Sequence, residues 1–161
     1  RQGFDVALNQ AGGEFTSLDG RTTISVPPGA LQGTTIFTFL PRAAPIQTQD
    51  PASHHLLFAG NRFLLSATCA SGEPVTAFDL PLTVTLRYSD ADILDIPEAS
   101  LGLYVWSGDA TGWLDAIASC PGGVYTRNLV ANTLSLPLCH LSEFGLFGSN
   151  WRTFLPLVGR H

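Results

Sequence analysis

A period of two runs through this chain, and it restricts the possible folds more than any other feature. In "LTVTLRY", Leu82, Val84, Leu86 and Tyr88 face one way and Thr83, Thr85 and Arg87 the other. That is the alternation of a strand with one buried and one solvated face. "TTIFTFL", "LGLYVW", "TLSLPL" and "SEFGLF" repeat it, built from the Val, Ile, Thr, Phe and Tyr that suit a pleated, half-buried surface. Clusters rich in Gly and Pro punctuate the runs: "NQAGGE", "LDGR", "PPGALQG", "AGN", "ASGEP", "SGDATG" and "CPGG". Many short strands separated in this way predict an all-β, antiparallel Greek-key (Ig-like) β-sandwich with little or no helix.

"DADILDIPEAS" is the one helical candidate. Its Asp-rich start suits N-capping and Pro97 stops it, so a turn of helix or a looped crossover is the expectation. "PRAAPIQTQDPASHH", with three prolines, is the longest loop and is expected to cross between the sheets. With no internal repeat and evenly spaced turns, the chain reads as a single β-sandwich domain over residues 1–161. Its core is expected at about 13–148, with an extended N-terminal arm at 1–10 and a C-terminal tail at 149–161.

Function classes narrow with composition. The 161 residues are 45% hydrophobic but only 13% charged, against about 25% in ordinary soluble domains. Much of the surface must therefore be Thr, Ser, Asn and Gln, which leaves apolar surface for neighbours. Net charge is −5, and the eight basic residues are all Arg, scattered along the chain. No basic stripe follows a nucleic-acid backbone, so no nucleic-acid partner is expected. No apolar run reaches the length of a membrane span. The opening "RQGFDVALNQ" lacks a Met and reads as a processed product or fragment, most simply one that has lost a secretory signal, which predicts a secreted, extracellular or cell-surface location.

Cys120 and Cys139 flank a predicted hairpin and are expected to pair as a disulfide. Cys69, on the strand face of Phe63, Leu65 and Ala67 in "RFLLSATC", reads as a buried free thiol. Both chain ends are extended and apolar. "GFDVAL" carries Phe4, Val6 and Leu8, and "WRTFLPLVGR" carries Phe154, Leu155 and Leu157, with Pro156 excluding a central strand there. Each end can close its own sheet or complete the sheet of a neighbouring subunit.

Three stretches carry a resemblance. "TTISVPPGAL" is similar to the strand-plus-turn opening of the domain shared by zonula occludens proteins, netrin receptors and ankyrins. "VTAFDLPLTVTLRYSDADILDIPEASLGLYVW" resembles a module widespread in bacterial secreted proteins, in which a strand ends in a Tyr–Ser/Thr–Asp–Ala–Asp turn and a later strand ends at a Trp. "LYVWSGDATGWLDAIASC…LPLCHLSEFGLF" looks like the self-cleavage region of adhesion receptors. Together these cover most of residues 13–148. They imply a β-sandwich module that is usually non-catalytic.

The third resemblance implies a reaction. Ser142 would attack the carbonyl of Leu141 with His140 as general base, and the resulting ester would be hydrolysed. His140 and Ser142 are two residues apart, so an extended strand points them to one face. Against this, only one cysteine pair matches, and Cys139 adjoins His140 directly where the receptors keep a residue between. The bacterial modules carry a similar ending as plain architecture, which is the favoured reading.

Other clusters read more simply. Asp90, Asp92 and Asp95, with Glu98 nearby, offer calcium-type oxygens but lack the Gly and bidentate Glu of a calcium loop, and a solvated, capping turn is favoured. His54 and His55 have no third ligand at zinc spacing. No metal site and no cofactor is predicted. Trp106, Trp113 and Trp151 can form a glycan-stacking platform; Trp106 is expected at the core rim, and Trp113 and Trp151 near turns are expected to be exposed. No nucleophile elbow or phosphate loop occurs. The expected function is a non-catalytic extracellular structural or adhesive module, a homo-oligomer or polymer joined through chain ends in a cell-surface or filamentous assembly. Self-cleavage at Leu141–Ser142 and glycan binding are the alternatives.

Overall fold

A computed structural model of the chain describes residues 3–149. Two antiparallel sheets pack face to face, as the alternation predicts. The six-stranded sheet runs β1 (Phe4–Leu8), β4 (Thr35–Pro41), β5 (Leu57–Cys69), β11 (Glu143–Gly148), β7 (Gly102–Ser107), β8 (Gly112–Asp115). The five-stranded sheet runs β2 (Gly13–Thr16), β3 (Thr22–Val26), β6 (Leu82–Arg87), β10 (Thr133–Leu138), β9 (Thr126–Asn128). The chain passes repeatedly between sheets, so that β6 lies between β3 and β10, and β11 between β5 and β7. This is an all-β sandwich.

Period two fixes which side chains meet inside. On β6, Leu82, Val84 and Leu86 are fully buried while Thr83 and Thr85 face outward, where Thr85 bonds Ser135 across the strand pair. Ile24, Leu134 and Leu136 face inward from the same sheet, and Phe37, Phe39, Phe63, Leu65, Phe144 and Leu146 face them from the other. Rings of Phe4, Phe39, Phe63 and Phe144 contact one another in succession along this interior, with centroids 5.0–5.6 Å apart. Burial of such side chains stabilises a sandwich by about 1.5–3 kcal/mol each.

Several expectations need correction. "AGN" is no turn: Ala59, Gly60 and Asn61 lie inside β5. The β5–β11 register runs from Arg62↔Gly145 to Phe58↔Phe147, so β5 carries the longer stretch between these rungs. Gly60 takes it up as a bulge at φ +88°, a conformation open to glycine. The proline-rich loop does not cross between sheets. It joins β4 to β5, neighbours in one sheet, and packs over that sheet's outer face. The helical candidate holds as expected: it is two 3-10 turns, Asp90–Ile93 and Glu98–Ser100, on the crossover from β6 to β7, and Ser89 caps the first in a reciprocal box with Asp92.

The loop has something to cover. Leu56, Tyr104, Trp113 and Phe147 form a second buried cluster on the outer face of the six-stranded sheet, with Phe58 and Trp106 packed against it. Trp113, expected to be exposed, is 1% exposed. Its indole N–H donates to the Gln47 carbonyl at 2.8 Å and its backbone N–H to Gln49 at 2.9 Å. Gly145 supplies the room, since a side chain there would collide with the Phe147 ring at 2.7 Å. β11 is thus buried on both faces.

Candidate functional site

The predicted disulfide is present: Cys120 and Cys139 are bonded, with Cα atoms 5.3 Å apart. It ties the 3-10 turn Ala116–Ser119 to the end of β10, enclosing the β9–β10 hairpin. Cys69 is a free thiol but not a buried one. It stands half-exposed at the end of β5, its Sγ 3.0 Å from the Ser71 hydroxyl. The Ser71 hydroxyl, then the backbone N–H groups of Ser71 and Glu73, hold the thiol below its ordinary value.

β10 and β11 belong to different sheets, and residues 139–142 make the connection between them. His140 is exposed at this corner. Leu141 packs against the core, and the Ser142 carbonyl accepts the Leu65 N–H at 3.0 Å. Among the described residues no hydrogen bond joins His140 to Ser142, and residues 140–142 have trans peptide bonds and no left-handed φ.

The acidic turn is spent on structure. Asp92 accepts the Ser89 N–H at 2.9 Å and pairs with Arg21 at 2.8 Å, and Asp90 accepts from Asn132 at 3.1 Å. The two histidines lie in the β4–β5 loop, where Asp50 accepts the N–H groups of Ala52 and His54 and its other oxygen lies 2.8 Å from His54 Nδ1. His55 forms a bridge with Gln49. Among the described residues no three His, Cys, Asp or Glu side chains are placed to hold a metal ion, and no helix is long and apolar enough to cross a membrane.

Of the predicted contact ends, residues 4–8 close their own sheet. Phe4, Val6 and Leu8 pack against the core from β1, which is bonded to β4 on one side. The other edge of β1 is unpaired among the described residues. Trp151, Phe154, Leu155 and Leu157 lie outside the described residues.

One grouping escaped the sequence reading. A cavity of about 380 Å³ on the outer face of the six-stranded sheet is lined by Pro45 and Ile46 of the β4–β5 loop, by Arg62 and Glu143, and by Trp106 and Trp113. Arg62 Nε donates to Glu143 Oε2 at 2.6 Å, and Arg62 Nη1 to the Ala43 carbonyl at 2.9 Å. The legible signal was the outward position of Arg62 in "RFLLSATC" and of Glu143 in "SEFGLF", each a charge within an apolar strand.

No family model matches the chain, and no curated protein matches it.

Proposed function

We propose that this chain is a non-catalytic extracellular structural module, a subunit held to its neighbours by strand-edge and apolar contact. The observation that carries the reading is the outer edge of β1. Among the described residues four strands end the two sheets: β1 and β8 in one, β2 and β9 in the other. β1 is the longest of the four, and its three apolar side chains Phe4, Val6 and Leu8 extend the core to this edge. Its single charge, Asp5, accepts the Thr38 hydroxyl at 2.7 Å. A strand of this kind offers a neighbour main-chain hydrogen bonds and alternate side-chain contacts. The occupant we assign to it is the apolar segment 151–158 of another copy. Low charge density and the disulfide fit an oxidising, extracellular setting.

The test is light scattering on the 161-residue chain across a concentration series, with Ala7→Lys and with residues 150–161 removed. Ala7 is exposed on β1, so a lysine there charges the edge and leaves the core alone. Higher-order species in the parent that disappear in both variants, with unchanged thermal unfolding, are expected. A parent that stays monomeric at all concentrations, or assembly that survives both changes, overturns the reading. Deleting residues 3–8 is a poorer test, because β1 completes its own sandwich.

A further inference from the structure

We infer that the outer-face cavity beside Trp106 is a binding site for a neutral saccharide. The inference does not depend on assembly through β1, and it rests on what the lining residues have left to offer.

The register brings them together. β11 pairs with β7 so that Phe144 stands opposite Val105, and Glu143 and Trp106, the residues next to these on either strand, line the same cavity. β11 pairs with β5 so that Gly145 stands opposite Arg62, which makes Arg62 and Glu143 diagonal neighbours on the same outward face. The ion pair is largely buried, at 19% and 18% side-chain exposure, so the two charged ends are held in place before any ligand arrives.

Of the two tryptophans, only Trp106 is available. Trp113 is buried and its N–H is committed to Gln47. Trp106, half-buried, lies against it edge to face with centroids 5.4 Å apart and still presents surface to the cavity. Gln47 is committed as well, its amide donating to Thr111 and accepting from Gln49. Arg62 directs its contacts at Glu143 Oε2 and the Ala43 carbonyl, so among the described residues Glu143 Oε1 has no hydrogen-bond partner. Guanidinium N–H groups also remain, since Arg carries five. The floor of the cavity therefore sets an open acceptor beside open donors, and its wall is an indole.

A pyranose has the matching chemistry. Its C–H face is apolar and stacks on an aromatic ring, while vicinal hydroxyls on its rim both donate and accept. A charged ligand is disfavoured because Arg62 and Glu143 already neutralise each other. A polyproline segment is the other occupant such apolar walls suggest, but it has no donor for the open Glu143 Oε1, which a sugar hydroxyl supplies. The volume suits one or two sugar rings, at the lower end of small-molecule sites. Fully exposed Ile46 at the rim would cover the second face of the sugar.

The experiment is saturation-transfer NMR on the full chain with cellohexaose, chitohexaose, xylohexaose and mannohexaose, and a polyproline peptide alongside. At least one oligosaccharide is expected to bind, with transfer strongest to its ring C–H protons. Trp106→Ala should weaken it about tenfold or more, Trp106→Tyr should restore most of the binding, and Trp151→Ala should leave it unchanged. If Trp106→Ala does not fold, a ligand-induced shift of the Trp106 indole resonance in the parent protein decides in its place. Absence of binding to every oligosaccharide, binding that is indifferent to Trp106 or dependent on Trp151, or binding of the peptide alone overturns the inference.

Discussion

Arg21 and Asp92 form an ion pair, Nη1 to Oδ2 2.8 Å, against the space that a side chain at residue 60 would fill. Arg21 comes from the β2–β3 turn of one sheet, Asp92 from the capped turn after β6, and Gly60 from the bulge in the other sheet. A Cβ at Gly60 would lie 2.6 Å from Asp92 Oδ1, in a backbone conformation with φ +88°. Gly60→Ala is therefore expected to cost about 1–3 kcal/mol, read as a lower denaturant midpoint. A midpoint equal to the parent's would mean that the bulge relaxes without strain.

The same pair sets an acid limit. Burial alone would raise the Asp92 carboxyl, but the hydrogen bonds of Ser89 and the Arg21 guanidinium outweigh it and hold the group below the ordinary carboxylate range. Asp50 is held low in the same way, its burial offset by His54 and by the Ala52 N–H. A carboxyl depressed in the folded state contributes stability that is complete above its unfolded value, about 3.9, and is lost as pH falls through the lower folded value. Thermal midpoints should hold from pH 7 to about 5 and fall below about 4. Asp92→Asn should be less stable at neutral pH and show a shallower acid slope. An unchanged slope would remove Asp92 from the acid transition.

Reduction of Cys120–Cys139 should lower stability by about 3 kcal/mol, the loop-closure value for a separation of this size. Paired denaturant curves with and without reductant measure it, and Cys139→Ser should match the reduced protein. In the native oxidised chain a thiol reagent should label Cys69 alone, and readily, because that group is half-exposed and held below its ordinary value. Labelling that requires denaturant would show Cys69 to be shielded.

Trp113 holds down the loop that covers the outer face. Trp113→Ala removes its packing with Phe147, 5.0 Å away between ring centroids, and leaves the Gln47 carbonyl without its donor. A cost of about 3–5 kcal/mol is expected. Limited proteolysis should then cut within residues 42–56 at protease levels that spare the parent. An uncut loop would mean that contacts other than Trp113 hold it.

A non-catalytic module should give a single full-length mass under denaturing conditions, and Ser142→Ala should leave that mass pattern unchanged. Two species meeting at Leu141–Ser142, and restored to one chain by Ser142→Ala, would instead make His140 and Ser142 a reacting pair.

The sandwich was legible because alternation is a local signal: Leu82, Val84 and Leu86 announce a buried face without reference to any other strand. The disulfide was legible for a related reason, since the hairpin between its cysteines is short. The outer cluster was not. Trp113 is buried by Gln47, a residue far from it in sequence, and no window around "TGWLD" contains that contact. Proximity to a turn misled in the same place. "AGN" failed because glycine marks both a turn and a bulge, and only the register with β11 distinguishes them. The Trp106 cavity joins four strands and a loop, so its parts could be seen singly in the sequence but not as a group.

The double burial of β11 has a mechanical consequence. This strand is bonded on both sides, to β5 and β7, and has apolar contacts on both faces. Its amide protons should be among the slowest to exchange with solvent, opening only when the whole molecule does. The five-stranded sheet, with its Thr-rich outer face, can fray locally. Tension entering the chain beyond Ser149 is therefore passed first to the strand least able to yield. A pull from the N-terminal end meets β1, which among the described residues has one bonded neighbour and can be peeled away rung by rung.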